Sequence, residues 1–309
     1  MGRPRLARNL RAGDAVLGEG GATWGAGLLS MVGTPIGNLD DASPRALRTL
    51  AEADLLLCED TRVTGRLLSH FDIRVPLERC DQNVIADRVE RVLSLLGEGA
   101  RVAFASDAGM PGVSDPGQQL VDAALDAGHR VEVVPGPSAV TCALVASGLP
   151  MEHFFFEGFL PRKRGDQVRR LGELAAVPGA IVLYESPHRV AATLANVAEV
   201  MPSRRVALVR ELTKLHEEVV RDFAPALARE VAEREGLRGE CVVVIAPPGA
   251  DELRDARSAS AELPTLEEAI AQGLASGEPK SALAKALAKR YGIPRAQVYE
   301  RVLRAANGS

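Results

Sequence analysis

Short apolar runs alternate along the chain with longer stretches in which apolar residues recur every three or four positions. The runs Leu28–Val32, Ala53–Cys58, Arg101–Ala105 and Arg130–Val134 read as strands. Helical periodicity falls between and after them, over 44–52, 62–70, 81–96 and 116–127. Nearly continuous apolar strands separated by helices predict a parallel sheet with right-handed crossovers. A second series follows, with strands at Phe154–Phe159, Ala180–Tyr184, Val206–Val209, Val219–Phe223 and Cys241–Ala246, and helices over 165–177, 187–200 and 224–235. Arg205 to Phe223 holds two strand-like runs with no room for a helix between them. A hairpin is therefore expected, which makes the second sheet mixed. Ser43-Pro44, Asp115-Pro116 and Ser186-Pro187 each place a capping side chain before a proline suited to the first helical position.

The two ends of the chain break this rhythm. Residues 1–27 carry Arg3, Arg5, Arg8 and Arg11 and then a glycine-rich stretch, with no apolar core of the kind a signal peptide needs. They read as a disordered extension, and Met31 stands as an alternative start. After Pro247-Pro248-Gly249, residues 251–268 hold six acids against two arginines, net −4, and read as a linker. A capping box from Thr265 to Glu268 opens a helical tail. Its two expected helices, 279–291 and 294–306, are separated by Gly292-Ile293-Pro294. The resulting division is 1–27, 28–138 and 139–249 as two α/β domains after an extension, and 250–309 as linker and basic helical tail.

Composition narrows the function classes. With 46% apolar and 25% charged residues the 309-residue chain is globular, and a net charge of −4 argues against a protein coated in nucleic acid. Aromatics at 4% exclude a platform that stacks many bases. Cys58, Cys80, Cys142 and Cys241 form no Cys-x-x-Cys pair and read as reduced structural thiols in a cytoplasmic protein. No apolar run has the length of a membrane helix, and no cluster has metal-ligand spacing, so no metal is expected.

Chemistry concentrates where strands end. Gly33-Thr34-Pro35-Ile36-Gly37-Asn38-Leu39 follows the first run, Ser106-Asp107-Ala108-Gly109-Met110-Pro111-Gly112 the third, and Pro135-Gly136-Pro137-Ser138-Ala139 the fourth. Loops after parallel strands form the ligand crevice of such sheets. The absence of Gly-x-Gly-x-x-Gly and of Gly-Lys-Ser/Thr removes dinucleotide and P-loop readings. The plain alternatives are a tight turn at 33–39, a solvated acidic turn at Asp107 and a helix cap at Ser138.

Taken with Cys58-Glu59-Asp60-Thr61-Arg62, Phe156 to Lys163, Tyr184 to Arg189 and Arg210 to Lys214, these segments resemble the tetrapyrrole-methylase superfamily, the class III S-adenosylmethionine methyltransferases. More narrowly they are similar to its ribosomal RNA small subunit methyltransferase I branch. The resemblance spans about residues 28–246 and continues into the tail. It implies two α/β domains with a cofactor cleft between them, normally in a homodimer. It sets S-adenosylmethionine against Thr34, Pro35, Asp107, Ala108, Gly109, Pro111, Ser138 and Ala139, with Tyr184 from the second domain. Tetrapyrrole-type members carry Gly-Asp-Pro where this chain has Ser106-Asp107-Ala108, a departure that fits the RNA branch. The implied reaction is 2′-O-methylation of a cytidine in the decoding region of 16S ribosomal RNA within the small subunit.

Local charge points to RNA independently. Residues 162–170 hold five basic residues (Arg162, Lys163, Arg164, Arg169, Arg170) against one acid, and 278–304 hold seven, including Lys280, Lys285, Lys289 and Arg290, against two. A solvated helix face is the plain alternative. A ribose hydroxyl is a weak nucleophile, so a base is sought among Asp60, Glu185, Glu211 and Lys214, with Arg62 and Arg189 as phosphate contacts. Structural ion pairs would explain the same residues. A precorrin-type C-methyltransferase and a non-enzymatic ribosome-assembly factor are the competing readings.

Overall fold

The computed structural model describes residues 27–112, 117–234, 236–250, 252–253 and 264–307. By backbone contacts the chain divides into two compact units, Met1–Ala139 and Val140–Ser309.

The first unit is a five-stranded parallel sheet of order β3-β2-β4-β1-β5, built from β1 (Leu28–Val32), β2 (Leu55–Cys58), β3 (Leu77–Arg79), β4 (Arg101–Ala105) and β5 (Arg130–Val134). Its central strands β1, β2 and β4 are mostly apolar because both faces are covered. Leu29, Leu57 and Phe104 pack on one face with α3 (Ile85–Gly97) and α4 (Gly117–Asp126). Val32, Leu56 and Ala103 pack on the other with α1 (Pro44–Ala51) and α2 (Thr61–His70). The chain leaves β1 toward β2 and leaves β4 toward β5, so neighbouring strands send their connections in opposite directions. Right-handed crossovers then place α1 and α4 on opposite faces and open a crevice at the carboxyl ends of β1 and β4.

Local chemistry sets most boundaries. Ser43 Oγ accepts the Ala46 amide (3.0 Å) with Pro44 opening α1, as its sequence predicts. The expected cap at Asp115-Pro116 lies outside the described residues, as do residues 1–26. Ser186-Pro187 does not start a helix: Ser186 Oγ accepts the His188 amide (3.3 Å) in a turn, and the next helix begins three residues later, at Val190. Met31 sits inside β1, buried and paired with Phe104 and Val133. A chain starting there would lose three of the five residues of a central strand.

The second unit carries a mixed sheet of order β6-β7-β10-β8-β9: β6 (Phe154–Phe159), β7 (Ala180–Glu185), β8 (Arg205–Arg210), β9 (Glu218–Phe223) and β10 (Cys241–Ile245). β6 and β7 are parallel, and β8 and β9 form the expected hairpin. One face packs Ile181, Leu183, Leu208 and Val243 against α6 (Arg164–Ala175), α7 (Val190–Val200) and α8 (Ala224–Ala232). A further helix, α5 (Ala139–Ser147), follows β5 directly. Beyond Pro264 lie three helices rather than two, Leu266–Ala275, Lys280–Tyr291 and Arg295–Asn307, around a core of Leu266, Ile270, Leu283, Leu287, Val298 and Val302. The capping box at Thr265 and Glu268 is present and opens the additional helix. Gly292 stops the second tail helix in a left-handed conformation (φ 66°).

Candidate active site

Three strand-end loops are braced against one another by backbone. Thr34 and Gly109 exchange amide-to-carbonyl hydrogen bonds of 2.9 and 3.1 Å, tying the loop after β1 to the loop after β4. Thr34 is buried and its Oγ1 donates to the Ser106 carbonyl (3.3 Å). Ser106 Oγ in turn donates to the carbonyls of Ala108 (3.3 Å) and Gly109 (3.4 Å), folding its own loop back. Gly109 has φ +82°, a conformation that favours glycine, so the turn is written into the residue. The loop after β5 joins through Gly136, whose amide donates to Met110 Sδ (3.1 Å). A Cβ on Gly33 would lie 2.6 Å from the Gly136 nitrogen, and one on Gly136 would lie 2.7 Å from the Gly33 carbonyl carbon. Two glycines thus let two backbones touch.

Asp107 sits at the rim of this cradle. Its Oδ1 accepts the Asp60 amide (3.0 Å), and its own amide donates to Glu59 Oε1 (3.3 Å), which links the ends of β2 and β4. Its second carboxylate oxygen takes no hydrogen bond from a described residue. The residue is open to solvent, yet crowding at the strand ends desolvates its carboxylate and raises its pKa, the Asp60 amide pulling the other way. Pro35, Ala108, Pro111, Ser138 and Ala139 lie on the same three loops or directly after them. Tyr184, at the end of β7, belongs to the second unit and stacks edge-on with Phe156 (4.9 Å between centroids).

The proposed bases are each engaged. Asp60 caps α2, accepting the Arg62 amide (2.8 Å) and Nε (3.0 Å). The Arg62 side-chain bond is the main reason its carboxyl is held well below the usual carboxylate range. Glu185 is buried, its Oε1 taken by the Ser186 amide (2.8 Å) and its Oε2 by Thr193 Oγ1 (2.7 Å) and by Arg189 (3.3 Å). Lys214 Nζ donates to Glu211 Oε1 (2.8 Å) and Glu240 Oε2 (3.0 Å). Burial works against its charge, but these two carboxylates outweigh burial and raise its pKa. Glu211 and Thr213 hold φ of +52° and +65°, rare for residues with side chains, and such strain persists where surrounding structure over-determines it. Glu59, Met110 and the Gly33–Gly136 contact were not singled out from sequence. The signal for the last was a glycine in each of two strand-end loops. Among the described residues no group of three His, Cys, Asp or Glu has metal-binding proximity.

A model of tetrapyrrole (corrin/porphyrin) methylases matches residues 28–228. The chain belongs to the tetrapyrrole methylase family. This methylase is 41% identical over 276 residues to ribosomal RNA small subunit methyltransferase I of Mesorhizobium japonicum, covering 89% of this chain and 91% of the relative. The protein of that name from Pseudomonas aeruginosa is 41% identical over 279 residues, 86% of this chain and 99% of its own. That from Thermotoga maritima is 45% identical over 219 residues, 71% of this chain and 98% of its own. Among solved structures, cobalt precorrin-4 methyltransferase CbiF aligns with a TM-score of 0.55 at 18% identity, over 72% of this chain and 95% of that one. The methyltransferase CobJ aligns at 0.54 and 23%, over 72% and 94%. Those two likenesses speak for the fold.

Proposed function

We propose that this methylase transfers a methyl group from S-adenosylmethionine to the ribose 2′-oxygen of a cytidine, cytidine 1402, in 16S ribosomal RNA of the small subunit. The observation that carries the reading is identity of about 40% with small-subunit RNA methyltransferases across nearly the whole chain. The site's construction supports it. Loops after parallel strands are where such sheets take their ligands, and backbone contacts hold these three in fixed positions. Thr34, Asp107, Gly109 and Ser138 would hold the cofactor, Asp107 accepting from its hydroxyl or ammonium groups. Tyr184 joins them on the strength of the resemblance alone. Bound there, S-adenosylmethionine supplies an activated methyl on sulfonium. A homodimer and a cytoplasmic location belong to the same reading. Exposed Phe154, Phe159 and Val145 are apolar surface that a second subunit would cover.

The charged residues act by position rather than by taking a proton. Asp60 fixes Arg62, leaving the guanidinium facing solvent beside the crevice for a phosphate. Lys214, kept protonated by Glu211 and Glu240, would offer positive charge to the ribose oxygen as the oxygen–methyl bond forms, the sulfur–methyl bond of the cofactor breaks and the hydroxyl proton passes to solvent water. Removing such a donor costs about 10²-fold in kcat. Lys214→Met should show a loss of that order with S-adenosylmethionine affinity retained, and Lys214→Arg should recover part of it. Activity should stay flat from about pH 7 to 9, since a raised lysine pKa leaves the ammonium charged there. A rate climbing tenfold per pH unit would instead make Lys214 a base.

The function is tested by incubating purified small subunits with labelled S-adenosylmethionine and locating the methyl by nuclease digestion and mass spectrometry. Methylated precorrin with unmodified subunits would overturn it. Asp107→Ala should weaken cofactor binding at least about tenfold, the loss of one charge-assisted hydrogen bond, without lowering the unfolding midpoint appreciably. Unchanged affinity in calorimetry would remove this loop from the site.

A further inference from the structure

The cations around residues 160–190 fall into two groups. Arg164 is ion-paired with Glu199, Arg169 with Asp166 (3.0 Å), and Arg170 with Glu157 and Glu173. Arg189 is turned onto the protein, where it meets Glu185 and donates to the carbonyls of Leu160 (3.0 Å) and Pro161 (3.3 Å). Arg162 and Lys163 are exposed and make no ion pair with a described residue. Those two can meet a phosphate without giving up an ion pair on the protein.

Directly beneath them lies a buried polar network. Thr193 Oγ1 donates to Glu185 Oε2 (2.7 Å) and accepts from Gln167 Nε2 (3.3 Å). Gln167 Nε2 also donates to the Pro161 carbonyl (3.3 Å), and Gln167 Oε1 accepts from Asn196. Gln167, Glu185, Thr193 and Asn196 are all more than nine-tenths buried. Burying this many polar groups and a charge costs desolvation, and apolar side chains of the same volume would serve stability at least as well. What they do that leucine cannot is hold carbonyls. Through Arg189 and Gln167 they fix Leu160 and Pro161, the two residues immediately before Arg162. The side chain of Leu160 is itself buried. A loop pinned in this way does not have to be ordered when its cations meet a ligand.

We propose that the Glu185–Thr193–Gln167 network, acting through Arg189, is a positioning scaffold that presents Arg162 and Lys163 as a preformed two-cation site for the phosphate backbone of the RNA substrate. This rests on the RNA reading above. It gives Arg189 a role different from direct phosphate contact and gives Glu185 one different from a base.

The test uses the full-length protein and purified small subunits, measuring subunit binding, KM, kcat and S-adenosylmethionine affinity. Arg162→Ala/Lys163→Ala should raise the subunit KM about tenfold and lower the salt slope of binding by about 1.5. Thr193→Val removes the hydroxyl that joins Glu185 to Gln167. It should raise KM about three- to fivefold, leave kcat and cofactor affinity near the parent's, and be rescued by Thr193→Ser. Arg189→Lys keeps the charge but loses the two-carbonyl grip, and it should do the same as Thr193→Val should that variant fold poorly. Added to the double-alanine background, either substitution should change KM by less than about 1.5-fold, because its effect runs through the missing cations. Effects that multiply instead would make the network purely structural. An unchanged KM and salt slope in the double-alanine variant would remove the phosphate site. Parent protein that binds subunits but does not methylate them would sink the functional reading, while the binding comparison would still decide the scaffold.

Discussion

A methyl group placed on Gly136 should cost the protein about 2 kcal/mol and most of its cofactor affinity. The new Cβ would meet the Gly33 carbonyl carbon, Cα and oxygen at 2.7, 2.8 and 2.9 Å. All three are backbone atoms of the loop leaving β1, and that loop cannot swing aside. The Gly33 amide is bonded to the Val134 carbonyl (2.9 Å), and the next residue is bridged to Gly109. Relief must come from prising the β1 and β5 loops apart, which also disturbs Thr34 and Gly109 where the cofactor is proposed to lie. Gly136→Ala should lower the unfolding midpoint of the first unit by about 4–8 °C. Calorimetry should show S-adenosylmethionine affinity reduced more than tenfold, on the order of the loss expected for Asp107→Ala or beyond. The matched control is Gly172→Ala, at an exposed position in α6 where a Cβ meets nothing within 4 Å. Helix propensity alone predicts a gain there of about 0.5–1 kcal/mol. If Gly136→Ala melts and binds like the parent, the close approach of the two loops is not a constraint on the site.

The double-glycine contact shows where sequence reading succeeds and stops. Central strands of a parallel sheet are buried on both faces, so β1, β2 and β4 advertise themselves as nearly continuous apolar runs, and the loops behind β1 and β4 as glycine and proline. The edge strand β3, only Leu77-Glu78-Arg79, has no such run because half its surroundings are solvent, and its pattern does not separate it from a loop. The first tail helix was hidden differently. Glu267 and Glu268 read in sequence as part of an acidic linker, although a capping box and a first helical turn both favour acids at that point. Site residues follow the same logic. Their type and loop could be read, since loops after parallel strands carry ligands. Their role could not, because it depends on partners far away in sequence. Lys214 is held charged by Glu240, 26 residues on, and Arg164 is neutralised by Glu199, 35 residues on. Glu185 looks like a free acid beside a proline turn until Thr193 and Arg189 are seen to occupy it.

Reversing the charge of the tail should remove most RNA affinity and leave cofactor binding alone. Lys280, Lys285, Lys289 and Arg290 are exposed on the helix Lys280–Tyr291, whose buried side carries Leu283, Ala284 and Leu287. None of the four forms an ion pair with a described residue, whereas Arg301 is tied to Glu267 (3.1 Å). Glutamate at these four positions therefore breaks no such pair and is a good helix former, although it gives up the cations of the last helical turn at Lys289 and Arg290 and the contact of Arg290 with the Tyr291 ring (5.9 Å). The three-helix core of Leu266, Ile270, Leu283, Leu287, Val298 and Val302 should stay folded, which circular dichroism of the variant would verify. Each lost phosphate contact lowers the salt slope by about 0.7–0.9, so four together should flatten it by about 3. Affinity for small subunits should fall at least about 100-fold at low salt, since reversal adds repulsion to the lost attraction. S-adenosylmethionine affinity should match the parent's, because every loop proposed to hold it lies before residue 186. Equal subunit affinity and an equal slope in the reversed and parent proteins would make the tail a packing or dimerisation element instead.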